Sequence, residues 1–545
     1  MGQRRRWEDI VTTTHDEDRD HLHSLGYAQE LKRGMGTFSN FAISFSIISI
    51  LAGGFTGFWI GFYYGGPLVI TLGWIIVGLM ALFVGMSMGE ICSAYPTAGG
   101  LYFWSAKLAR KNGELWSWFT GWFNFIGQIG VIASVDYALA NYVVRFINLY
   151  ADSSVQADGS VHVDAIITPT ARNLFLVFVL VLLTHGLLNT FGVHMVKTLG
   201  DISVWWHVVG VAVIFAVLFI GPDQKQSIGH LFEFSNGSAW SGGISSLYVF
   251  FIGFLLAQYT ITGFDASAHV SEETRGARVN APKAIVRSIY ISAIAALVLN
   301  IAFVLATKKD PVVTDVDGVI TLPVSIFLAN LGGFATKLLV LITVVGQYFC
   351  GMASVTANSR MIYAFSRDGG LPGSSLWHKI NPKTRTPTNA VWLGVTMSGV
   401  VGALSLIQND GYAVAFFALT GICVVGLYIS YVIPIFLRLR NPEFVQGPWN
   451  LKGYSKIVGW ISVVWVGFIT ILFFAPLDPN WKWWDGEDVN TANFTGPIIL
   501  LSFVGVGLWW VASAKKWFKG PKVQGSKEEL LAIERELDAL EHGTL

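Results

Sequence analysis

Two long hydrophobic stretches of this 545-residue chain are interrupted at their midpoints, and they lie five apolar segments apart. The first runs over 38–64 and is broken by Leu51-Ala52-Gly53-Gly54. The second runs over 244–270 and is broken by Ile261-Thr262-Gly263-Phe264-Asp265. A helix broken inside a bilayer leaves backbone N–H and C=O groups without partners. That is tolerated only where protein, water or a bound solute satisfies them. Two breaks at matching positions of two repeats are the sequence sign of a midplane site in a secondary transporter. The expectation is a carrier for a small organic solute.

Composition sets the surroundings. Hydrophobic residues make up 53% of the chain and charged residues 13%, with mean hydropathy +0.54. A soluble domain carries about 25% charge, so the partner of most of this surface is a lipid bilayer. A spanning helix needs roughly 20 mostly apolar residues. Twelve stretches qualify: 38–64, 67–91, 116–149, 170–190, 200–220, 244–270, 284–306, 333–364, 388–407, 411–437, 457–476 and 495–514. The expected fold is an all-α integral membrane protein of twelve transmembrane helices. An N-terminal tail covers 1–37, the helical domain 38–514, and a C-terminal tail 515–545, in which Leu530, Ile533, Leu537 and Leu540 at helical spacing predict a short amphipathic helix. Pro67, Pro282 and Pro387 are expected just ahead of helices, where a missing N–H costs least.

Charge placement then orients the chain. With twelve spans and both ends in the cytoplasm, 29 of the 36 Lys and Arg fall on the inner side. Seven fall outside: Arg145, Arg172, Lys225, Lys308, Lys309, Lys337 and Lys482. This is the asymmetry that the positive-inside rule demands, and a plasma-membrane location is expected. The three cysteines, Cys92, Cys350 and Cys423, fall in or beside apolar segments, where free cysteine packs as a small hydrophobe. A spaced Cys/His cluster is missing from the sequence, and so is a GxxxxGK[ST] loop. No metal, cofactor, nucleic-acid partner or enzymatic activity is therefore expected.

Ionisable groups inside the spans are functional candidates because charge is costly there. They are Glu90, Asp136, His185, His207, Asp265, His269 and Arg360. Asp265 reads as the N-cap of the half-helix after the second break, or as a proton or cation site. Glu90 and Arg360 lie at inner helix ends. They either snorkel to the interface or form a gate pair, with each other or between Arg360 and Glu272 or Glu273. His207 lies mid-span beside Trp205-Trp206, and an imidazole titrating near about pH 6.5 can exchange a proton without leaving the membrane; a hydrogen-bonded structural role is the alternative. At the breaks, amides opening a half-helix suit a carboxylate, and exposed carbonyls suit an ammonium. Phe55, Tyr259 and Phe264 flank the breaks, as lids over a solute or as packing.

Several runs carry a family resemblance. They include Phe45-Ser-Ile-Ile-Ser49, Met88-Gly-Glu-Ile-Cys-Ser-Ala-Tyr-Pro96, Thr120-Gly-Trp-Phe-Asn124, Gln258-Tyr-Thr-Ile-Thr-Gly-Phe-Asp-Ala266 and Asn358-Ser-Arg-Met-Ile-Tyr-Ala-Phe-Ser-Arg-Asp-Gly369. The chain resembles the amino acid/choline branch of the amino acid–polyamine–organocation superfamily. That group holds fungal GABA and choline permeases and plant bidirectional amino acid/GABA transporters. The resemblance implies helices 1–5 and 6–10 as inverted repeats, with helices 11 and 12 peripheral. It implies an amino acid or amine as the solute, held at the breaks of helices 1 and 6 and carried with protons or by exchange. By position, the pocket role falls to Ser49, Ile50, Ala52, Gly53 and Gly54, to Tyr259, Ile261, Thr262, Gly263 and Phe264, and to Asn124 or Gln128 of helix 3. A basic group on helix 5, here His207, is implied opposite Ser354 and Thr356 of helix 8, where relatives bind sodium. The first break reads Leu-Ala-Gly-Gly where many members show Gly-Ser-Gly, which leaves a carboxylate contact dependent on main chain. A choline, quaternary ammonium or polyamine permease is the alternative.

Overall fold

A computed structural model describes residues 17–151, 153–155, 161–163, 165–191, 193–307, 322–407, 412–479 and 493–542. Of the charges counted above, Arg4, Arg5, Arg6, Lys308, Lys309 and Lys482 lie outside the described residues. Among the described residues, twelve helices are long and apolar enough to cross a membrane. They are α1 (Thr37–Gly54), α2 (Gly66–Ala94), α3 (Gly113–Asn148), α4 (Ala171–Phe191), α5 (Met195–Ile220) and α6 (Gly243–Thr260). The rest are α7 (Ala277–Ala306), α8 (Gly333–Arg367), α9 (Thr388–Leu406), α10 (Phe416–Leu439), α11 (Lys452–Phe474) and α12 (Thr495–Trp517). A small antiparallel hairpin, Ser153–Val155 with Val161–Val163, is set in the α3–α4 connection.

The helices do not share the lipid equally. The most hydrophobic window of α3 is 94% buried and that of α12 only 17%, so α3 is the central post and α12 a peripheral stave. The sequence allows α3 that position by removing side chains where α10 crosses it. A Cβ on Gly127 would stand 2.6 Å from the Leu427 amide nitrogen, and one on Gly130 2.7 Å from that of Cys423. Between apolar helices in lipid, such close backbone approach supplies the packing that the hydrophobic effect cannot. α1 to α5 and α6 to α10 repeat one plan, each opening on a broken helix. Because five crossings are an odd number, the second copy enters from the opposite face and is inverted.

Both tails meet on one face. The helix α13 (Lys527–His542) packs there against the segment that leads into α1. Glu534 accepts from the Gln29 amide at 2.7 Å and meets His23 Nε2 at 2.7 Å. Arg385, from the α8–α9 connection, donates to Asp538 at 2.9 Å, and Lys32 pairs with Glu541. Of the apolar stripe on this helix, Leu530 is buried while Leu540 is exposed. The helix is therefore held by these charged contacts together with its buried and half-buried apolar positions Leu530, Ile533 and Leu537.

Two local expectations need correction. The first half of α1 stops at Ile47, and the break falls on Ile48 and Ser49, ahead of the glycines. Ser49 is extended (φ −71°, ψ 113°), and its hydroxyl accepts the Ala52 amide at 3.0 Å. That local bond competes with the helical one and restarts the chain as a wide turn over Ile50–Gly54. Pro282 does not precede α7 but lies within its first turns, since the helix begins at Ala277.

Candidate functional site

The two breaks face each other at the centre of the bundle. A Cβ on Gly53 would come within 2.8 Å of the Thr260 Cα, and one on Gly263 within 2.3 Å of the Ile47 Cγ2. Gly263 also holds φ +86°, a left-handed conformation that other residues adopt only with strain. Each glycine thus lets one broken helix press against the other.

The freed backbone groups are satisfied across this contact. The Ser44 hydroxyl donates to the Phe264 carbonyl at 2.9 Å and accepts the Ser267 amide at 2.9 Å. Asn40 Nδ2 donates to the Ser267 carbonyl at 3.0 Å. On the other side, Gln347 Nε2 donates to the Leu51 carbonyl at 3.2 Å and the Tyr428 hydroxyl to the Ile261 carbonyl at 2.9 Å. Ser44, Gln347 and Tyr428 were not among the expected site residues. A glutamine inside the apolar 333–364 stretch was the available signal, because an uncharged amide buried in lipid also demands a partner.

A small cavity of about 20 Å³ lies between the breaks. Of the expected pocket residues Gly53, Tyr259 and Thr262 line it, joined by Val131 of α3, Cys350 of α8 and Cys423 of α10. Ser49, Ile50, Ala52, Gly54, Ile261, Gly263 and Phe264 are near neighbours that do not line it. Such a volume holds about one water molecule, so a solute enters only if the breaks move apart. Phe55 is committed to packing, edge-on to Phe303 at 5.2 Å, and Phe264 packs on Tyr431 at 5.0 Å.

Asp265 stands at the N-cap position of the short helix Ala266–His269, but its carboxylate accepts none of that helix's amides. It is fully buried and gathers donors from three helices instead. The Tyr431 hydroxyl donates at 2.6 Å, Gln128 Nε2 at 3.0 Å and Asn124 Nδ2 at 3.1 Å, while His269 Nε2 stands 3.2 Å away. Asn124 and Gln128 therefore turn toward Asp265 and not toward the cavity.

His207, buried on α5, touches the first break directly. Its Nδ1 is 2.8 Å from the Ser203 carbonyl, which can only accept, so Nδ1 carries the hydrogen of the neutral ring. Nε2 then accepts from the Ser49 hydroxyl at 2.6 Å. The expected partners across α8 are engaged elsewhere: Ser354 donates to the Cys350 carbonyl, and Thr356 donates to Asn189 Oδ1 at 2.7 Å.

Of the ion pairs anticipated near the tail face, Arg360 with Glu273 forms and Arg360 with Glu90 does not. Glu90 pairs with Arg438 at 2.8 Å, and Arg360 binds Glu273 with both nitrogens, at 2.7 and 3.3 Å. Arg360 is 4% exposed, so it does not snorkel. Arg360 and Glu273 border a second cavity of about 310 Å³ that opens toward the tails and also meets Lys197, Thr356, Arg385 and Glu541. Next to it Arg367 pairs with Glu272 at 3.1 Å.

A family model described as Amino acid permease matches residues 35–506, which takes in both breaks, α1 to α11 and the first half of α12. The chain belongs to the amino acid permease family. Amino-acid permease BAT1 of Arabidopsis thaliana is 39% identical over 517 residues, covering 93% of this chain and 96% of that protein. Its homologue in Oryza sativa subsp. japonica is 38% identical, covering 92% and 94%. A candidate polyamine transporter of Candida albicans is 27% identical, covering 96% and 92%. The permease is accordingly a multi-pass membrane transporter and not an enzyme.

Proposed function

We propose that this permease carries a zwitterionic amino acid or a GABA-like solute at the cavity between the two breaks, driven by protons or by solute exchange. The observation that carries the reading is the chemistry of that cavity. None of its lining residues bears a charge, so recognition rests on main-chain dipoles, which offer donors to a carboxylate and acceptors to an ammonium. A polyamine would need carboxylates there, and choline an aromatic cage. Asp265 is already saturated with donors, and of the three aromatic flanks only Tyr259 lines the cavity. We place both tails in the cytoplasm of a plasma-membrane protein, since 29 of 36 basic residues lie on that side of twelve spans.

His207 couples the proton to the break. Protonation puts a hydrogen on Nε2, so this nitrogen can no longer accept from Ser49, and the hydroxyl must turn to accept instead. The hydroxyl that restarts α1 thereby changes its hydrogen bonding with the charge of α5. An imidazolium would also repel a sodium ion nearby. At an effective dielectric of about 20, two unit charges 4 Å apart interact by about 4 kcal/mol.

The test is radiolabelled uptake by purified protein in proteoliposomes, with sodium and proton gradients imposed separately. GABA or an α-amino acid should accumulate on a pH gradient without sodium, and the corresponding amide should compete at least about tenfold more weakly, a difference of about 1.4 kcal/mol. His207→Ala should slow that uptake at least about tenfold. Sodium-driven accumulation that survives a collapsed pH gradient, or competition by choline with indifference to carboxylates, would overturn the reading.

A further inference from the structure

Asp136 of α3 and His185 of α4 are both completely buried, and His185 Nδ1 lies 3.0 Å from Asp136 Oδ2. Beyond that bond the pair is bare. Asp136 Oδ1 has no donor and His185 Nε2 has no partner. The contrast with Asp265, whose carboxylate collects four neighbours, is internal to the same molecule. A buried carboxylate with one neutral donor is poorly compensated, and Lys and Arg make no ion pair with it among the described residues. The titratable groups that face the pair are Tyr348 and Cys350 of α8 and Tyr259 of α6. They are phenols and a thiol, none of which supplies positive charge.

We propose that Asp136 and His185 form a proton-binding site, separate from His207, that is charged and discharged during transport. The neutral imidazole beside an ionised carboxylate carries one net negative charge. A proton added at His185 Nε2 or at Asp136 Oδ1 removes it, giving an ion pair or a neutral acid–imidazole pair. These are the two atoms that the structure leaves without partners. Sterics select the ligand. Gly351 of α8 lies against the pair so closely that a Cβ there would stand 2.0 Å from Asp136 Oδ1 and 2.5 Å from His185 Cε1. A metal cation requires several oxygen ligands and would find one free oxygen and no room. A proton needs neither.

The pair is also placed to be felt at the solute cavity. The residues next to it in sequence, Val135 on α3 and Cys350 beside Gly351 on α8, line that cavity. Cys350 Sγ donates to the Ile47 carbonyl at 3.3 Å, where the first half of α1 ends. Ser134 accepts from the Tyr259 hydroxyl of α6 at 3.2 Å. A change of charge at Asp136 therefore acts on a helix layer bonded to both broken helices.

The proposal rests on the reading of the chain as a proton-coupled permease, and the test separates the two. In proteoliposomes, the residual uptake of His207→Ala should still change at least about fivefold between about pH 5.5 and 7.5. In the double variant His207→Ala/Asp136→Asn, whose amide is fixed in the neutral state, that change should fall below about twofold. His185→Gln in the His207→Ala background should displace the profile. PH dependence abolished by His207→Ala alone, or kept unchanged by both added substitutions, overturns the Asp136–His185 site while leaving the solute site standing. Failure of the wild type to take up any zwitterion overturns the transport reading instead. Should the added variants not fold, proton uptake on solute binding in weakly buffered detergent decides. Uptake that persists in His207→Ala supports the pair, and uptake that disappears there refutes it.

Discussion

Gly263→Val should reduce solute binding by at least about twentyfold while the protein still reaches the membrane and elutes as a folded species. Two independent penalties meet at this position. The backbone holds φ +86°, and a left-handed conformation costs a residue with a side chain about 1–2 kcal/mol. The new Cβ would stand 2.3 Å from the Ile47 Cγ2, and relieving such overpacking costs about 1–3 kcal/mol more. The relief open to the chain is to push the end of the first half of α1 away from α6, which is the spacing that shapes the cavity. Gly53→Val drives the same wedge from the other side, against Thr260. Gly36→Ala is the control, because its φ of −86° suits any residue and nothing lies within 4 Å of a Cβ there. Equilibrium binding of a labelled zwitterion measures all three. Unchanged affinity in both valine variants would remove the breaks from the site.

Asp265→Ala should be among the most destabilising single substitutions in the membrane domain. Its carboxylate is the common acceptor for Tyr431, Gln128 and Asn124, and all three are buried. Deleting it orphans the Tyr431 and Gln128 donors, at about 1–3 kcal/mol for each group left unpaired, and leaves Asn124 with only the Ser430 hydroxyl at 3.2 Å. Some of that loss is recovered by local shifts, so a total of more than about 3 kcal/mol is expected. Asp265→Asn keeps the shape and one acceptor oxygen and should lose roughly half as much. Thermal unfolding in detergent, followed by tryptophan fluorescence, reads this directly. An Asp265→Ala protein that melts with the wild type would show that the donors have other acceptors.

The second break was legible because Gly-Phe-Asp interrupts an otherwise apolar run, and helix propensity and local turn chemistry agree there. The first was misplaced by a few residues. The eye goes to Gly53 and Gly54, yet the backbone turns at Ser49, whose hydroxyl competes for the helical amides. The glycines answer a different need, the approach of Thr260, which is distant in sequence. The same limit explains Asp265. Local sequence offers a capping role, whereas its true partners come from helices more than a hundred residues away on either side. Glu90 and Arg360 were sorted to the correct face by charge and hydropathy. Glu273 was among the partners anticipated for Arg360, whereas Arg438, the partner of Glu90, comes from a helix more than three hundred residues away, and no periodicity encodes that. Twelve spans followed from counting apolar residues, because a spanning helix needs about 20 of them, whereas the inverted plan came from the family resemblance.

The central claim is that a solute sits between the two breaks. It is tested most directly by electron cryomicroscopy of the protein in lipid nanodiscs with a saturating zwitterionic substrate. The account predicts density for the solute between Gly53 and Thr262, against Val131 and Tyr259, in a cavity grown well beyond the present volume of about 20 Å³. Density confined to the cavity beside Arg360 and Glu273, with the breaks still closed on each other, would contradict it.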